Sequence, residues 1–176
     1  MTDSNVPQPN VTRLATRSGV ALDVRATTEA DEAVLTAFFD KVSDEDRRFR
    51  FFTAGAHVSH EQLDPFIHAD HIRSESFLAF DAANGELVAS GLLACDAQRD
   101  TAELAVSIRH DYRGKGLGWV VLGFLSDAAQ AMGVKQVIAI ESRDNHAAIE
   151  LERESGFVPQ AMEGDPSTII LTKRFA

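Results

Sequence analysis

The stretch Arg113-Gly114-Lys115-Gly116-Leu117-Gly118 decides the fold of this chain. It follows a run over residues 102–108 that predicts a β-strand, and it opens a run over residues 116–132 with apolar side chains at helical spacing. A glycine-rich turn between a strand and a helix presents several backbone N–H groups at the helix N-terminus, where they can bind a phosphate. We therefore expect the chain to bind a phosphate-bearing cofactor.

The spacing of the glycines excludes two common phosphate-binding loops. A Walker A loop needs Gly-x4-Gly-Lys-Ser/Thr, which the sequence lacks. A Rossmann loop needs Gly-x-Gly-x-x-Gly, and its third glycine would fall on Trp119 or Val121. What remains is Arg-x-x-Gly-x-Gly, formed by Arg113, Gly116 and Gly118.

Length and composition indicate one globular domain. The 176 residues are 44% hydrophobic, which is enough for a single core. We expect residues 1–17 to be a disordered or loosely attached tail and residues 18–176 to be the domain. The polar N-terminus has no signal-peptide pattern, and no apolar run is long enough to cross a membrane. With the single cysteine, Cys95, these features predict a cytoplasmic protein without an internal disulfide.

The charge argues against nucleic acid as a partner. The net charge is −10, and no cluster of basic residues supplies the positive face that a duplex requires. The acidity favours cationic substrates such as amines, although net charge bears first on solubility. The sequence leaves the oligomeric state open, a homodimer included.

The predicted elements place antiparallel hairpins before a β-α-β-α-β half. Strands are expected over residues 20–25, 76–80, 87–95, 101–109, 136–140, from 157, and over 168–172, with an Asn-Gly turn in residues 81–85. Helices are expected from residue 28, over 44–52, 59–68, 116–132 and 145–155, the last ending at Gly156. Such an order predicts a mixed α/β (α+β) sheet flanked by helices.

The glycine loop with its preceding strand resembles the acyl-CoA loop of the GNAT acetyltransferase superfamily. A second segment further along the chain also resembles that family, through Asn145, Ala148, Leu151 and the Gly156-Phe157 pair. The segment over residues 46–52, the strand from Ala102 and the loop are similar to the catalytic domain of Pat-type bacterial protein lysine acetyltransferases. The resemblance implies a mostly antiparallel, twisted sheet of six to seven strands with about four helices.

The resemblance also implies acetyl-CoA as the cosubstrate, with no metal. The residues that it assigns to the cofactor comprise the loop, one strand residue and one helix cap: Arg113, Gly114, Lys115, Gly116, Leu117, Gly118, Ile108 and Asn145. The loop amides would bind the pyrophosphate, and Arg113 and Lys115 would add positive charge. A main-chain group of Ile108 would contact the pantetheine arm or the thioester. Asn145 would cap a helix and touch the CoA arm.

Glu103 is the expected general base. An amine must lose a proton before it can attack, because a lysine amine with a pKa near ~10.4 is mostly protonated at neutral pH. Strand alternation puts Glu103 on one face with Ala105 and Ser107, small residues that leave room for a substrate. The resemblance to the Pat-type strand supports the same residue. The alternative is a solvated glutamate near a strand start.

One residue departs from the pattern of the superfamily. Many members have a tyrosine shortly before the Gly-Phe pair, proposed as the acid for the leaving thiolate, and here Glu152 stands there. We expect Glu152 to be solvated, since a thiolate is already a tolerable leaving group.

Two other groups of residues are expected to be structural. The pairs His57/His60 and His68/His71 have the i, i+3 spacing of metal ligands, but no cysteine accompanies them and we predict no metal. The arginines and phenylalanines of residues 47–52 predict a helix with its aromatic side chains inward and its arginines paired to acids.

The predicted activity is acetyl transfer from acetyl-CoA to a primary amine, with protein lysine slightly favoured as acceptor. Two alternatives stay open: a GNAT-fold acyltransferase acting on a small-molecule amine, and a non-catalytic acyl-CoA sensor on the same fold.

Overall fold

The computed structural model describes residues 10–53 and 55–176. Eight strands form one sheet: β1 (Thr12–Ala15), β2 (Ala21–Ala26), β3 (Ser74–Asp81), β4 (Leu87–Cys95), β5 (Thr101–Ile108), β6 (Gln136–Ser142), β7 (Val158–Ala161) and β8 (Thr168–Arg174). Five α-helices accompany it: α1 (Glu32–Asp40), α2 (Asp44–Phe51), α3 (His60–Ile67), α4 (Leu117–Ala131) and α5 (His146–Glu154).

The sheet is mixed and mostly antiparallel, as the sequence predicts. Its strand order is β1-β2-β3-β4-β5-β6-β8-β7. Every neighbouring pair is antiparallel except β5 and β6, which are parallel and joined through α4. The sheet has one or two strands more than expected, and the described residues form five α-helices rather than about four.

The first strand corrects the expected tail. Residues 12–15 form β1 and pair with β2 in an antiparallel hairpin, so the ordered domain starts earlier than residue 18. Their mostly exposed pattern lacks the apolar alternation that would reveal a strand in the sequence. Residues 1–9 of the expected tail lie outside the described part of the chain.

Two apolar clusters flank the sheet. Helix α4 buries Val121 and Leu125 against residues of β4 and β5 such as Leu93 and Leu104. Helices α1 and α3 bury Phe39, Phe66 and their neighbours with Leu78 and Leu87 in a second cluster. Helix α4 also contacts β6, and α2 and α5 contact β5 and β6 respectively, next to the site described below.

Local signals set the helix ends as expected. Ser43 and Ser59 each accept a hydrogen bond from a backbone N–H in the first turn of α2 and α3. Gly156 follows α5 with a φ of 94°, a left-handed conformation that favours glycine. No helix in the described ranges is long and apolar enough to cross a membrane.

Candidate active site

A cleft opens where β5 and β6 separate. The two strands pair over residues 101–103 of β5, and the register ends at Glu103 opposite Ile138. Beyond that point β5 runs on to Ile108 while β6 stays paired with β8. The cleft between them has a volume of about 400 Å³, and its walls include the β5 edge, the glycine loop and α5.

The free edge of β5 offers main-chain donors to this cleft. The Arg109 N–H donates to Val88 O of β4 at 2.9 Å, so Arg109 faces β4. Because successive residues of a strand direct their backbone groups to opposite edges, the amides of Ile108 and Val106 face the cleft. The predicted role of Ile108 is thus compatible with its position, since its N–H can donate to a carbonyl oxygen of a bound ligand.

The glycine loop closes one end of the cleft as a strand-to-helix turn. Gly114 and Gly116 have φ values of 73° and 83°, and Gly116 is the N-cap of α4. Because positive and negative φ values alternate along this loop, its N–H groups line a concave surface. The first turn of α4 adds amides that have no partner within the helix. Leu117 is almost wholly buried, and both Leu117 and Gly118 line the cleft. The arrangement suits a diphosphate.

The two cations of the loop differ in position. Arg113 lines the cleft, with its Nε 3.5 Å from Asp46 Oδ2 of α2. The Lys115 ammonium instead lies over the Tyr112 ring, 4.8 Å from its centroid, and Lys115 is not among the residues that line the cleft. The structure therefore brings Arg113, but not the Lys115 side chain, to the predicted site.

The β1–β2 hairpin supports the loop from outside. Ser18 Oγ donates to Lys115 O at 2.6 Å, and the side chain of Thr16 lies against Gly116. Arg17 places its guanidinium over Trp119 of α4, 5.9 Å from the ring centroid. Thr16 and Arg17 fall in the predicted tail of residues 1–17, so no role at the loop was expected for them.

Glu103 lies where the cleft begins, at the point where β5 and β6 separate, and this position is compatible with its predicted role. It is the last β5 residue paired with β6, and its side chain is exposed to the cleft. The charge of Arg50 from α2 acts on both Glu103 and Glu141. Burial lowers the pKa of Arg50, and the two carboxylates oppose that effect. The Arg50 guanidinium also lies over the rings of Phe51 and Phe66, with its Cζ 5.2 and 5.1 Å from the two ring centroids.

The expected arrangement of the arginine-rich helix is therefore only partly right. Arg47 is buried and pairs with Asp44, as expected, and it also donates to the carbonyl oxygens of Phe39 and Val42. Phe52, by contrast, is 59% exposed at the end of α2. Arg50 faces the cleft, and periodicity alone did not single it out.

Asn145 caps the N-terminus of α5 and also lines the cleft. Its side-chain oxygen accepts from the Ala148 N–H at 3.5 Å at the start of α5, and its Nδ2 donates to Glu141 Oε2 at 3.0 Å. It also lines the cleft, where it can reach a ligand.

Glu152 is buried, contrary to the expectation that it is solvated. Only 6% of the residue is exposed, and it lines the cleft together with Glu141. Burial, with the charge of Glu141, raises the pKa of Glu152 to about 10. Burial likewise raises the pKa of Glu141. The two residues stand on consecutive elements, β6 and α5, and no periodicity within either element predicts that their side chains meet.

The histidines form separate surface pairs with carboxylates. His60 contacts Glu32, His57 lies 3.1 Å from Asp40, and His71 lies 2.8 Å from Glu75. Within residues 10–53 and 55–176, no three potential metal ligands come together.

The chain is similar to acetyltransferases in sequence. It matches the model of the acetyltransferase (GNAT) family over residues 38–157. An acetyltransferase of Pseudomonas aeruginosa is 31% identical over 149 residues, which cover 84% of this chain and 80% of the relative. An L-methionine sulfoximine/L-methionine sulfone acetyltransferase of the same species is 42% identical over 59 residues, 34% of each chain.

Solved structures show the same fold. The GNAT domain of PAT from S. lividans superposes with a TM-score of 0.86 at 22% identity, covering 94% of this chain and 97% of that one. A GNAT superfamily phosphinothricin acetyltransferase from Sinorhizobium meliloti in complex with acetyl-CoA gives a TM-score of 0.71 at 20% identity, covering 88% of each chain.

Proposed function

Since the chain belongs to the GNAT family of acetyl-CoA-dependent acetyltransferases, we propose that it acetylates a primary amine, protein lysine in preference to a small molecule. The observation that carries the proposal is one cleft that joins the glycine loop, the unpaired edge of β5 and Glu103. The same proposal places the enzyme in the cytoplasm, where acetyl-CoA is made and used.

The cofactor would bind along the edge of β5. The amides of Gly114, Gly116 and Gly118 would hold the diphosphate, and Arg113 would add charge at the mouth of the loop. The pantetheine arm would then extend the sheet by hydrogen-bonding the free β5 edge, and Asn145 would contact it from α5. The Ile108 N–H would donate to the pantetheine arm, and the Val106 N–H, which faces the cleft nearer to Glu103, would donate to the thioester oxygen and stabilise the negative charge that develops there.

Glu103 would act as the general base. Its carboxylate lies at the closed end of the cleft, beyond the reacting end of a cofactor that runs from the loop along β5. It can take a proton from the acceptor ammonium directly or through one water. The neutral amine then attacks the thioester carbon in a ternary complex.

The surroundings of Glu103 favour a cationic acceptor with an apolar stem. Asp46 and Glu103 supply negative charge, and the exposed Phe52 with Phe49 supplies apolar surface at the α2 side of the cleft. A lysine side chain has this combination of a long methylene stem and a terminal charge. The resemblance to Pat-type catalytic domains points the same way.

A small-molecule acceptor is the second candidate. Two of the similar proteins are by name acetyltransferases of small molecules, phosphinothricin and methionine sulfoximine or sulfone. Arg50 gives this candidate its physical basis, because a guanidinium beside Glu103 can pair with the carboxylate of an amino acid acceptor. A panel of lysine peptides, polyamines and amino acids, scored by thiol release, separates the two.

The Glu103→Gln variant tests the proposed mechanism. Loss of the base should lower kcat by about 10²-fold or more while the Kd for acetyl-CoA changes little. Glu163→Gln, at an exposed loop position, is the matched control and should keep wild-type turnover. Unchanged turnover in Glu103→Gln would remove Glu103 from the mechanism, and cofactor binding without thiol release from any acceptor would favour the sensor.

A further inference from the structure

Trp119 is a large exposed side chain to which the proposed acetyl transfer gives no role. It is the only tryptophan of the sequence, it follows Gly118 directly, and it stands in the first turn of α4. The residue is 40% exposed. Because single exposed apolar side chains are common on protein surfaces, the surroundings of Trp119 must decide whether it has a ligand.

Two adjoining cavities share Trp119. One is the cleft between β5 and β6, and the other is a groove of about 440 Å³ lined by α4, the C-terminal end of α5 and β8. Leu122 also lines both cavities. Gly123 leaves room beside the indole, since a β-carbon added there would have nothing within 4 Å. The groove therefore continues from the glycine-loop end of the cleft along the same face of α4.

Arg17 holds the indole ring from the side of the β1–β2 hairpin. Its guanidinium lies over the ring, with its Cζ 5.9 Å from the ring centroid. The next residue, Ser18, donates a hydrogen bond to Lys115 O at 2.6 Å, so the hairpin that carries Arg17 is attached to the glycine loop. A cation over one face of an indole leaves the opposite face open to a flat ligand. A ring that is oriented in advance loses less freedom when such a ligand binds.

The loop amides determine which part of the cofactor lies near this ring. With the diphosphate on the amides of Gly114, Gly116 and Gly118, the pantetheine arm leaves towards β5, and the ribose and adenine leave from the other end of the diphosphate. Trp119 is the first side chain after the loop, and the groove begins there. We propose that the adenine of acetyl-CoA stacks on Trp119 in this groove. The inference rests on the proposed binding of the diphosphate by the loop and assigns the residue that holds the nucleotide end of the cofactor.

The groove has the chemistry that a purine base requires. A base is flat and uncharged at neutral pH, and stacking on an aromatic side chain uses its π-face without any charged partner. The two charged residues that line the groove, Lys173 of β8 and Glu154 of α5, have opposite signs. The groove therefore offers no net charge that would favour a phosphate over the base.

Removal of the indole should weaken binding only of ligands that carry adenine. For Trp119→Ala we expect the Kd for acetyl-CoA, measured by calorimetry, to rise about tenfold. Acetyl-(3′-dephospho)-CoA keeps the adenine and should lose the same factor, whereas S-acetyl-4′-phosphopantetheine has no adenosine and should change by less than about twofold. Trp119→Phe retains a flat ring, so its loss with the two adenine ligands should be only about threefold.

The fluorescence of the wild-type protein reports on the same contact, because Trp119 is the only tryptophan. Saturation with acetyl-CoA or its dephospho form should quench the emission, whereas S-acetyl-4′-phosphopantetheine should leave it nearly unchanged. Ile72→Ala is the matched control, since Ile72 is a 63% exposed apolar residue between α3 and β3 that lines neither cavity. This variant should keep the wild-type Kd and the wild-type quenching.

Three outcomes would overturn the inference. Equal loss of affinity for all three ligands in Trp119→Ala would show that Trp119 only supports the loop. Loss with acetyl-CoA but not with its dephospho form would show that the groove binds the 3′-phosphate rather than the adenine. Saturable binding of acetyl-CoA without quenching would also contradict the stacking, and this measurement decides if Trp119→Ala does not fold. No binding of acetyl-CoA by the wild-type protein would instead reject the proposed function itself.

Discussion

At the scale of single residues, the site depends on backbone conformations that few side chains tolerate. Gly116 has a left-handed φ of 83° at the first position before α4, and the space around it is not the constraint, because a β-carbon there would meet Thr16 at an ordinary 3.6 Å. The cost of a larger residue at this position therefore comes from the backbone, about 1–2 kcal/mol.

Gly116→Ala should impair both folding stability and cofactor binding. We expect the free energy of unfolding to fall by about 1–2 kcal/mol, and the Kd for acetyl-CoA to rise about tenfold as the loop amides turn from the diphosphate. Chemical denaturation and calorimetry measure the two effects.

Gly164→Ala is the matched control for this substitution. Gly164 has nearly the same φ, 81°, with nothing within 4 Å of an added β-carbon, and it lies outside the cleft. It should lose similar stability and keep wild-type affinity. If both variants lost affinity equally, the loop would have no special role.

At the scale of secondary-structure elements, the β1–β2 hairpin acts as a brace for the phosphate loop. Ser18 reaches across 97 positions of sequence to the carbonyl of Lys115, and Thr16 is buried against Gly116. The hairpin thus links the first strands to a loop formed by residues 113–118.

Ser18→Ala should weaken cofactor binding without reducing catalysis by bound enzyme. Loss of one partly exposed hydrogen bond removes about 0.5–1.5 kcal/mol of support, so we expect the Kd for acetyl-CoA to rise about threefold with kcat unchanged. Arg13→Ala, which removes an exposed ion pair with Asp23 in the same hairpin, serves as the control. Equal effects of the two variants on Kd would show that general hairpin stability, not the contact with Lys115, is responsible.

At the scale of the whole molecule, the sequence predicts the structure best where the residues concerned are contiguous in the chain. The loop glycines, the strand before them and the helix after them are contiguous, so their spacing alone predicts the turn. Strand alternation also puts Glu103 on the face of β5 that the structure exposes to the cleft, whereas the roles of Glu103, Ile108 and the loop amides stay predictions. The mixed sheet follows from the order of hairpins and crossover helices.

The rest of the site depends on contacts between different elements, which no local pattern encodes. Glu152 lies beside Glu141 because α5 packs against β6, and Arg50 comes to the same cleft from α2. Lys115 was expected near the phosphates from its place in the loop and the family resemblance, but its ammonium lies over the Tyr112 ring. Strand β1 was missed because its residues lack the apolar alternation of a core strand.

The most direct test of the central claim is a titration of ¹⁵N-labelled protein with acetyl-CoA, followed by amide chemical shifts. The account predicts the largest shifts at Gly114, Gly116, Gly118 and Ile108, with smaller changes along the β5 edge. Exposed turns remote from the cleft, such as that at Gly164, should not respond. Saturable binding that left the loop and Ile108 amides unshifted would contradict the account.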